Sequence, residues 1–326
     1  MSEAQKRRSI IVTGGNSGLG FQCARFIGSE DPDAMAVLAC RNVTAGIVAK
    51  AELKKRGIAA VVLPLDLASL ASVREFVDLF RVSRLPPLAG LVCNAGLQNV
   101  GTPQRTVDGF ETTFAVNHLG HFLLANLLLP GFLEDGRITF VSSGAHDPAE
   151  KSGMPAPRYE TAKEIASDFE SGATAGRRRY TTSKLCNLYC TYELARRLES
   201  AADQRLRSIH VNAFDPGLMP STGLVRTYSA PIRFLWNYVL PALTRFQQNV
   251  HSPDKSGQRL ARLATDFGDK GTGRYVSDGR TARSSALSYD AGKARELWEA
   301  SAFMVGIDPA IERAPPPAAG AVGSAA

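Results

Sequence analysis

The segment Ser9-Ile-Ile-Val-Thr-Gly-Gly-Asn-Ser-Gly-Leu-Gly20 decides the fold of this chain. Its first five residues form a short run of the kind expected for a buried parallel strand. Glycines at positions 14, 18 and 20 follow directly, and residues 21–27 then show helical periodicity. A strand, a glycine-rich turn and a helix bring backbone N–H groups and a helix N-terminus against a pyrophosphate. The segment therefore predicts a dinucleotide-binding unit.

Short apolar strands alternate with helical segments along the rest of the chain. Helices between such strands imply a parallel sheet that is covered on both faces. We therefore predict the α/β class, as a single-domain, Rossmann-type, doubly wound parallel sheet with helices on both faces. After the first strand, further strands are expected at 36–40, 60–65, 90–93, 137–141, 209–214 and 274–276. Helices are expected at 44–56, 69–81 (with Ser69 as N-cap), 110–129, 180–200 and 252–266.

The two ends of the chain differ in composition from the domain between them. Residues 1–8 are polar and basic, and they are expected to be a flexible N-terminus without the apolar core of a signal peptide. Residues 9–311 form the predicted domain, and the Pro- and Ala-rich residues 312–326 form a predicted disordered tail. No apolar stretch is long enough to span a bilayer. These features predict a cytoplasmic protein.

A tyrosine and a lysine lie four residues apart in Tyr180-Thr-Thr-Ser-Lys184. On a helix this spacing places both side chains on one face, one turn apart. An ammonium group beside a phenol stabilises the phenolate and lowers the tyrosine pKa. A phenol tuned in this way can give or take a proton near neutral pH.

The cysteines and histidines do not indicate a metal site. The five cysteines lie inside predicted elements, and buried reduced thiols explain them better than disulfides do. Cys186 and Cys190 share a helix face, but no further ligands are evident near them. His118 and His121 lie on a helix that otherwise has the pattern of a core and interface helix. No metal is expected.

The net charge of +7 comes partly from basic clusters at 6–8, 54–56 and 177–179. No nucleic-acid-binding motif accompanies these clusters. We interpret them as solvated surface charge, with some attraction to anionic membranes, and expect no nucleic-acid partner.

Six motifs occur in one order along the chain. They are Thr13-Gly-Gly-Asn-Ser-Gly-Leu-Gly20, Asn94-Ala-Gly96, Asn117, Val141-Ser-Ser143, Tyr180-x-x-x-Lys184 and Pro216-Gly217. In this order they resemble the short-chain dehydrogenase/reductase family, over about residues 9–305. Four further stretches are Leu91-Val-Cys-Asn-Ala95, Asn117-His-Leu-Gly-His-Phe122, Ser183-Lys-Leu-Cys-Asn187 and Asp215-Pro-Gly-Leu-Met219. They resemble the branch that contains retinol dehydrogenase-like enzymes and light-dependent protochlorophyllide reductase.

The resemblance implies four catalytic residues. Tyr180 would be the acid/base, and Lys184 would lower its pKa and bond the nicotinamide ribose. Ser143 would bond the substrate oxygen, with Ser142 as the alternative serine. Asn117 would carry a proton-relay water near Lys184.

The resemblance also implies a cofactor site at the carboxyl ends of the strands. Arg41 lies just past the second strand, where a guanidinium attracts the 2′-phosphate of NADP(H), which is therefore expected over NAD(H). The Asp66 carboxylate would bond the adenine amino group. Either Ser221 or Thr222 would bond the nicotinamide carboxamide. The full implied set is Gly14, Asn16, Ser17, Gly18, Leu19, Gly20, Arg41, Asp66, Leu67, Asn94, Ala95, Gly96, Tyr180, Lys184, Pro216, Gly217, Ser221 and Thr222.

Two regions bear on the substrate. The first is an insertion at 145–179, with a predicted short helix near 162–169, which resembles the insertion of the same branch. The second is a lid region at 218–251, whose residues 230–243 are strongly apolar. This apolar stretch is interpreted as a lid, a membrane contact or an ordinary core helix. A bulky lipophilic small-molecule substrate is expected, with the protein acting as a monomer or a homo-oligomer.

Three functions follow from these observations. The leading one is an NADP(H)-dependent oxidoreductase that interconverts an alcohol and a carbonyl. The second is light-dependent protochlorophyllide reductase, which weakens at Leu218, because the photoenzyme carries a functional cysteine after its Pro-Gly pair. The third is a catalytically idle nucleotide-binding scaffold, which would be expected to lack some of the four catalytic groups.

Overall fold

The computed structural model describes residues 7–219 and 252–311, and its described strands form one sheet. The strands are β1 (Arg8–Thr13), β2 (Ala34–Cys40), β3 (Ala60–Pro64), β4 (Leu88–Cys93), β5 (Phe132–Val141), β6 (His210–Asp215), β7 (Arg274–Ser277) and β8 (Arg280–Ala282). Their order is β3-β2-β1-β4-β5-β6-β7-β8. All neighbours pair in parallel except β7 and β8, which are antiparallel.

Helices cover both faces of this sheet. The first face carries α1 (Gly18–Glu30), α2 (Val43–Lys55) and α9 (Pro253–Thr265). The second face carries α3 (Leu70–Val82), α5 (Gly120–Leu128), α7 (Ala173–Glu199) and α10 (Ala291–Val305). Shorter helices are α4 (Thr112–Phe114), α6 (Ala162–Ala166) and α8 (Gln204–Arg207), and a π-helical turn (Ala115–Leu119) joins α4 to α5. Short 3₁₀ turns occur at Leu129–Gly131, Gly144–His146, Pro148–Glu150 and Ala286–Tyr289.

The alternation of strand side chains divides the core in two. Ile10 and Leu38 point toward α1, α2 and α9, whereas Ile11 and Val37 point toward α3, α5, α7 and α10. Successive side chains of a strand face opposite sides, so a sheet buried on both faces needs apolar residues at every position. The predicted doubly wound α/β fold is confirmed.

Several element boundaries differ from the prediction. The helix expected at 110–129 begins at Thr112 and contains the π-helical turn. The helix expected at 180–200 begins seven residues earlier, at Ala173, directly after Gly172 with its φ of +110°. Its first two turns contain Gly176, where an added Cβ would lie 2.2 Å from the carbonyl oxygen of Asn99. This turn is helical because it packs closely on a distant loop, a contact that local periodicity does not reveal.

Other expectations have simple outcomes. Ser69 caps α3 as predicted, since its Oγ accepts from the N–H of Ser72 at 3.2 Å. The strand β8 and the helix α10 were not expected. All five cysteines are free and buried, as predicted. Within the described ranges, no helix combines the length and the apolar character needed to cross a bilayer. Residues 1–6, 220–251 and 312–326 lie outside the described residues, and with them Ser221, Thr222, most of the lid region and the predicted tail.

Candidate active site

The candidate site lies at the carboxyl ends of the parallel strands. The sheet order reverses between β1, which is followed outward by β2 and β3, and β4, which is followed by β5 and β6. Open α/β sheets bind ligands in the crevice at such a reversal. The predicted residues after β1, β4, β5 and β6 therefore belong to one edge of the molecule.

The glycine loop after β1 is shaped by close backbone contacts. Gly14 and Gly18 have φ values of +65° and +54°, which L side chains rarely adopt. A Cβ on Gly20 would lie only 2.5 Å from both the carbonyl oxygen of Gly14 and Nδ2 of Asn94. A Cβ on Gly18 would meet no described atom within 4 Å, so this glycine faces open space.

The N-terminus of α1 is available for an anion. Its N-cap residue, Ser17, is exposed and makes no capping hydrogen bond through its side chain. The first N–H groups of a helix lack partners within the helix and carry a partial positive charge. This end of α1 fits a phosphate group, as the sequence predicts.

Thr13 joins the loop after β4 to the end of β1. Its Oγ1 accepts from the backbone N–H groups of Asn94 and Ala95, both at 2.9 Å. Asn94 Nδ2 donates in turn to the carbonyl oxygen of Thr13 at 2.7 Å. Three hydrogen bonds to Thr13 therefore fix the segment Asn94-Ala-Gly96, which we call the cofactor floor, against the end of β1.

The predicted adenosine contacts lie farther along the same edge. Arg41 is exposed directly after β2. Asp66 follows β3 and is half-buried, and its Oδ1 accepts from the N–H of Ala68 at 3.0 Å. Leu67 is buried, with its carbonyl oxygen 2.6 Å from the point where a Cβ of Gly120 would lie. An exposed guanidinium at this position is compatible with a bound phosphate.

Asn117 lies in the π-helical turn and is fully buried. Its Oδ1 accepts from the N–H of Leu97 at 2.8 Å, and its Nδ2 donates to Leu97 O and to Ser183 Oγ, both at 2.9 Å. The side-chain amide is therefore used to join the loop after β4 to α7. A relay water near this residue would use its main-chain carbonyl or the second lone pair of Oδ1, since both amide hydrogens are already donated. Single π-helical turns within α-helices are frequent at functional sites.

Lys184 and Tyr180 lie on one face of α7, as predicted. Lys184 Nζ is 5.6 Å from the centroid of the Tyr180 ring and donates to the carbonyl oxygen of Val141 at 3.0 Å. A Cβ on Gly96 would lie 3.6 Å from this Nζ and 3.2 Å from Asn117 Oδ1, so the lysine and the asparagine approach each other beside Gly96. Burial lowers the pKa of Lys184 to about 8, although the negative charge of Asp215 opposes the shift.

The two serines after β5 have different surroundings. Ser142 is buried, and its Oγ donates to the carbonyl oxygen of Lys184 at 2.9 Å. Ser143 is half-buried, and its Oγ accepts from the N–H of Ala145 at 3.2 Å. The hydroxyl hydrogen of Ser142 is therefore already donated to the backbone of α7. Ser143 keeps a proton that no described residue accepts, which favours it as the serine for a substrate oxygen.

The turn after β6 is organised by a carboxylate. Asp215 Oδ1 accepts from the N–H of Gly217 at 3.0 Å, where the φ of Gly217 is +73°. Its Oδ2 accepts from the Tyr275 hydroxyl at 3.0 Å and from Ser277 Oγ at 3.2 Å. Pro216 is buried beside it. The role of Asp215 was not predicted, although its place directly before Pro-Gly was a usable signal.

The insertion at 145–179 is attached to the body of the protein at several points. Thr182 Oγ1 accepts from the N–H of Arg158 at 3.0 Å and donates to its carbonyl oxygen at 3.3 Å. Tyr159 hydrogen-bonds the carboxylate of Glu296 on α10 and packs edge-on against Tyr189. The short α6 (Ala162–Ala166) confirms the helix expected near 162–169, and the last residues of the insertion already belong to α7. These contacts fix the insertion to α7 and α10.

The prediction that the basic cluster 177–179 is solvated surface charge is wrong for Arg179. Arg179 is only 2% exposed, and its guanidinium lies 3.5 Å from Glu111 and 3.6 Å from Asp168. Its Nη1 also donates to the carbonyl oxygen of Glu170. Glu111 is fully buried at the start of α4, and burial raises its pKa despite the nearby guanidinium. The pair therefore joins the helix of Tyr180 to the segment of Asn117.

The two neighbouring histidines have different contacts. His118 is buried against Phe114 and Phe122, and its Nε2 lies 2.9 Å from Ser301 Oγ. His121 instead contacts Thr13 and the carbonyl oxygen of Asn117. Among the residues with described positions, no group of three or more His, Cys, Asp or Glu side chains could hold a metal ion. His121 is a residue of the site that sequence reasoning interpreted only as core.

Comparisons with known proteins relate this chain to one family and one fold. Residues 8–174 match the family model described as short chain dehydrogenase. The chloroplastic protochlorophyllide reductase of Cucumis sativus is 32% identical, over 93% of this chain and 79% of that protein. An uncharacterized protein from Mycobacterium paratuberculosis has a TM-score of 0.67 at 29% identity, over 93% of this chain and 95% of that one. An angucycline C-6 ketoreductase with bound NADP has a TM-score of 0.61 at 22% identity, over 85% of this chain and 96% of that one, a likeness of fold alone.

Proposed function

This chain belongs to the short-chain dehydrogenase/reductase family, and we propose that it is an NADP(H)-dependent oxidoreductase that interconverts an alcohol and a carbonyl on a bulky lipophilic substrate. The observation that carries the proposal is the position of Lys184. Its buried ammonium lies 5.6 Å from the Tyr180 ring centroid, at the end of β5 where Ser143 also emerges. A phenol, a cation and a hydroxyl group at one point suit proton transfer to a carbonyl oxygen.

The chain has groups that fit each part of a dinucleotide. The N-terminus of α1 and the glycine loop would hold the pyrophosphate, and the exposed Arg41 would hold a 2′-phosphate. Asp66 and Leu67 would contact the adenine, while Asn94, Ala95 and Gly96 would lie beneath the nicotinamide half. Pro216 and Gly217 would form its far side, followed by Ser221 or Thr222. When bound, NADPH supplies the hydride.

The side chains of this protein would supply proton transfer and orientation. Tyr180 would donate its phenolic proton to the substrate oxygen in reduction and take a proton back in oxidation. The Lys184 ammonium would stabilise the resulting phenolate through its positive charge. Ser143 would donate a hydrogen bond to the same substrate oxygen, where negative charge develops. The main-chain carbonyl of Asn117 would anchor a water that returns the proton.

The substrate class is inferred from the insertion at 145–179, which leads into the helix of Tyr180. The insertion is much longer than a simple connection between β5 and α7, and it is fixed to α7 and α10 by Thr182 and Glu296. A long insertion that is fixed to the helix of the catalytic tyrosine suits a large substrate whose contacts are mainly apolar.

The test is NADPH consumption against a panel of retinoid, steroid, polyketide and aromatic carbonyl compounds. We expect turnover of at least one bulky carbonyl. Tyr180→Phe should abolish it while NADPH still binds. The matched control is Tyr189→Phe, because Tyr189 is a buried tyrosine on the same helix whose hydroxyl donates to Leu287 O. Equal turnover in the two variants would remove Tyr180 as the proton donor.

A second candidate is reduction of a ring double bond in protochlorophyllide. Its support is the 32% identity to the Cucumis sativus protochlorophyllide reductase over 93% of this chain. Against it stands Leu218, which occupies the position where that enzyme type is expected to carry a cysteine. Absorbance of the pigment with NADPH, in light and in darkness, separates the two functions. A light-dependent loss of pigment without turnover of any carbonyl would favour the second candidate.

A further inference from the structure

His121 connects two parts of the candidate site, the end of β1 and the π-helical turn. It is fully buried on α5, and its two ring nitrogens contact different elements. Nε2 lies 2.8 Å from Thr13 Oγ1 at the end of β1, and Nδ1 lies 3.2 Å from the carbonyl oxygen of Asn117 in the π-helical turn.

The partners of His121 determine where its proton lies. A carbonyl oxygen can only accept a hydrogen bond, so Nδ1 must carry the proton that is donated to Asn117 O. In a neutral ring Nε2 then has a lone pair and must accept. The donor is the Thr13 hydroxyl, whose oxygen already accepts the N–H groups of Asn94 and Ala95. The carbonyl oxygen of Val92 lies 3.2 Å from Thr13 Oγ1 and is a second acceptor for this hydroxyl, but His121 Nε2, at 2.8 Å, is the nearer one.

Burial supports the neutral ring. Desolvation and the positive charge of Lys184 lower the pKa of His121 to about 4. The hydrogen bond to the Asn117 carbonyl works in the opposite direction, but it does not cancel the effect of burial. The ring therefore stays uncharged through the pH range in which the enzyme would work.

We propose that His121, as the Nδ1–H tautomer, is a positioning residue. It couples the cofactor floor to the main-chain carbonyl of Asn117, which would hold the relay water. On one side Nε2 accepts a hydrogen bond from the Thr13 hydroxyl, so that the lone pairs of the Thr13 oxygen stay directed at the N–H groups of Asn94 and Ala95 beneath the nicotinamide. On the other side it occupies one lone pair of the Asn117 carbonyl and directs the second toward the relay water. This inference rests on the proposed function, because it assigns purpose to the cofactor floor and to Asn117.

His118 provides the matched comparison. It lies one turn away, is equally buried, and has a pKa lowered by burial to about 3. Its Nε2 contacts Ser301 on α10, and no described residue hydrogen-bonds its Nδ1. Substitution of either histidine disturbs the core to a similar extent, but only His121 contacts Thr13 and Asn117.

The first experiment observes the proton directly and needs no substrate. Long-range ¹H–¹⁵N correlation spectra of the wild-type imidazoles, with His121→Asn for assignment, report which ring nitrogen is protonated. We expect the Nδ1–H tautomer for His121, unchanged from neutral pH to about pH 5, as its lowered pKa implies. An Nε2–H tautomer or a protonated ring at neutral pH would overturn the proposal.

The second experiment separates the two bonds. The amide of His121→Asn can occupy the place of Nδ1 and keep the bond to Asn117, whereas that of His121→Gln can occupy the place of Nε2 and keep the bond to Thr13. We expect His121→Asn to weaken NADPH binding about tenfold, with kcat on the best panel carbonyl kept within about twofold. We expect His121→Gln to bind NADPH normally, to lose about tenfold in kcat, and to show a larger solvent deuterium isotope effect.

The controls are His118→Asn and His118→Gln, together with the thermal midpoint of each variant. A purely structural role would lower the midpoints of all four variants and leave NADPH affinity, kcat and the isotope effect alike in the two pairs. That result would overturn the coupling. Failure of the proposed function is distinguishable, because the wild type would then neither bind NADPH nor reduce any carbonyl, while the imidazole spectra would still report the tautomer.

Discussion

The cofactor side and the catalytic side of this molecule are built in different ways. On the cofactor side, backbone approaches backbone: a Cβ on Gly20 would lie 2.5 Å from Gly14 O, and one on Gly120 would lie 2.6 Å from Leu67 O. On the catalytic side, buried polar side chains meet backbone oxygens, as where Lys184 Nζ donates to Val141 O at 3.0 Å. The cofactor side depends on glycines, whose lack of a Cβ lets backbone segments approach. The catalytic side depends on the charge and hydrogen bonds of buried side chains.

This difference decides what each side tolerates. Packed backbone has no room for one added carbon, since overpacking forces shifts in the neighbours. Buried polar groups accept changes of shape more readily than loss of a partner, because an unpaired charge away from water is costly. We therefore expect substitutions on the two sides to have different measurable effects.

The largest effect on stability should come from Arg179→Met. It leaves the Glu111 carboxylate buried without its guanidinium, which should lower the free energy of unfolding by about 3–5 kcal/mol in a urea titration. The matched control is Arg178→Met, because the side chains of Arg178 and its partner Glu170 are 33% and 63% exposed, whereas those of Arg179 and Glu111 are buried. The control should cost at most about 1 kcal/mol. Equal losses in the two variants would show that burial of the pair is not the source of the effect.

The second prediction concerns Lys184 and pH. Its pKa is about 8 in the folded chain, because of burial, and about 10.4 in the unfolded chain. Between these values the unfolded chain binds more protons, so stability contributed by Lys184 rises with pH through this window and is lost as the pH falls. The wild type should therefore gain about 3 kcal/mol relative to Lys184→Met between pH 8 and 10.5, as measured by urea denaturation. A difference that stays constant with pH would contradict the lowered pKa.

The third prediction tests the cofactor side with one added carbon. In Gly20→Ala the new Cβ would overlap Gly14 O and Asn94 Nδ2, so the loop must move. We expect NADPH to bind about 100-fold more weakly in a fluorescence titration. The control is Gly131→Ala, since Gly131 is exposed and its Cβ would meet no described atom within 4 Å. Normal NADPH affinity in Gly20→Ala would show that the loop can accommodate a Cβ at this position without moving.

The smallest expected effect comes from the exposed end of the cofactor side. Arg41→Asp removes the cation proposed for the 2′-phosphate, and it should lower NADPH affinity about tenfold while leaving NADH affinity nearly unchanged. Arg84→Asp makes the same charge change at another exposed position and should alter neither ratio. An unchanged NADPH-to-NADH preference in Arg41→Asp would remove Arg41 from the site.

Local patterns predicted most of the strands and helices of the first half of the chain. Apolar runs mark β1, β2 and β4 to within two residues because these strands are almost wholly buried. The start of β5 was missed by five residues because its first part carries the exposed Leu133 and Glu134. The π-helical turn at Asn117 was missed because it depends on backbone hydrogen bonds rather than on residue type. The strand β8 was missed because its three residues are all exposed, so no apolar run marks it.

Part of the candidate site rests on local features of the sequence. The Tyr180–Lys184 spacing is a local feature of one helix, and the structure places both groups at the end of β5. The choice of Ser143 over Ser142 is a proposal that gains support only from the bond that Ser142 makes to Lys184 O. The burial of Arg179 could not be predicted, because nothing in a run of three arginines shows which one faces Glu111.

The sequence by itself determined the order of strands and helices, the glycines that allow the tight loop, and the tyrosine and lysine that share a helix face. These depend on neighbours in the chain, whose spacing sets their relative positions. Tertiary structure alone decided which of two histidines reaches Thr13, which of three arginines is buried, and how the insertion is attached. Those outcomes depend on contacts between residues that are tens of positions apart, and such contacts form only when the sheet brings its strand ends together.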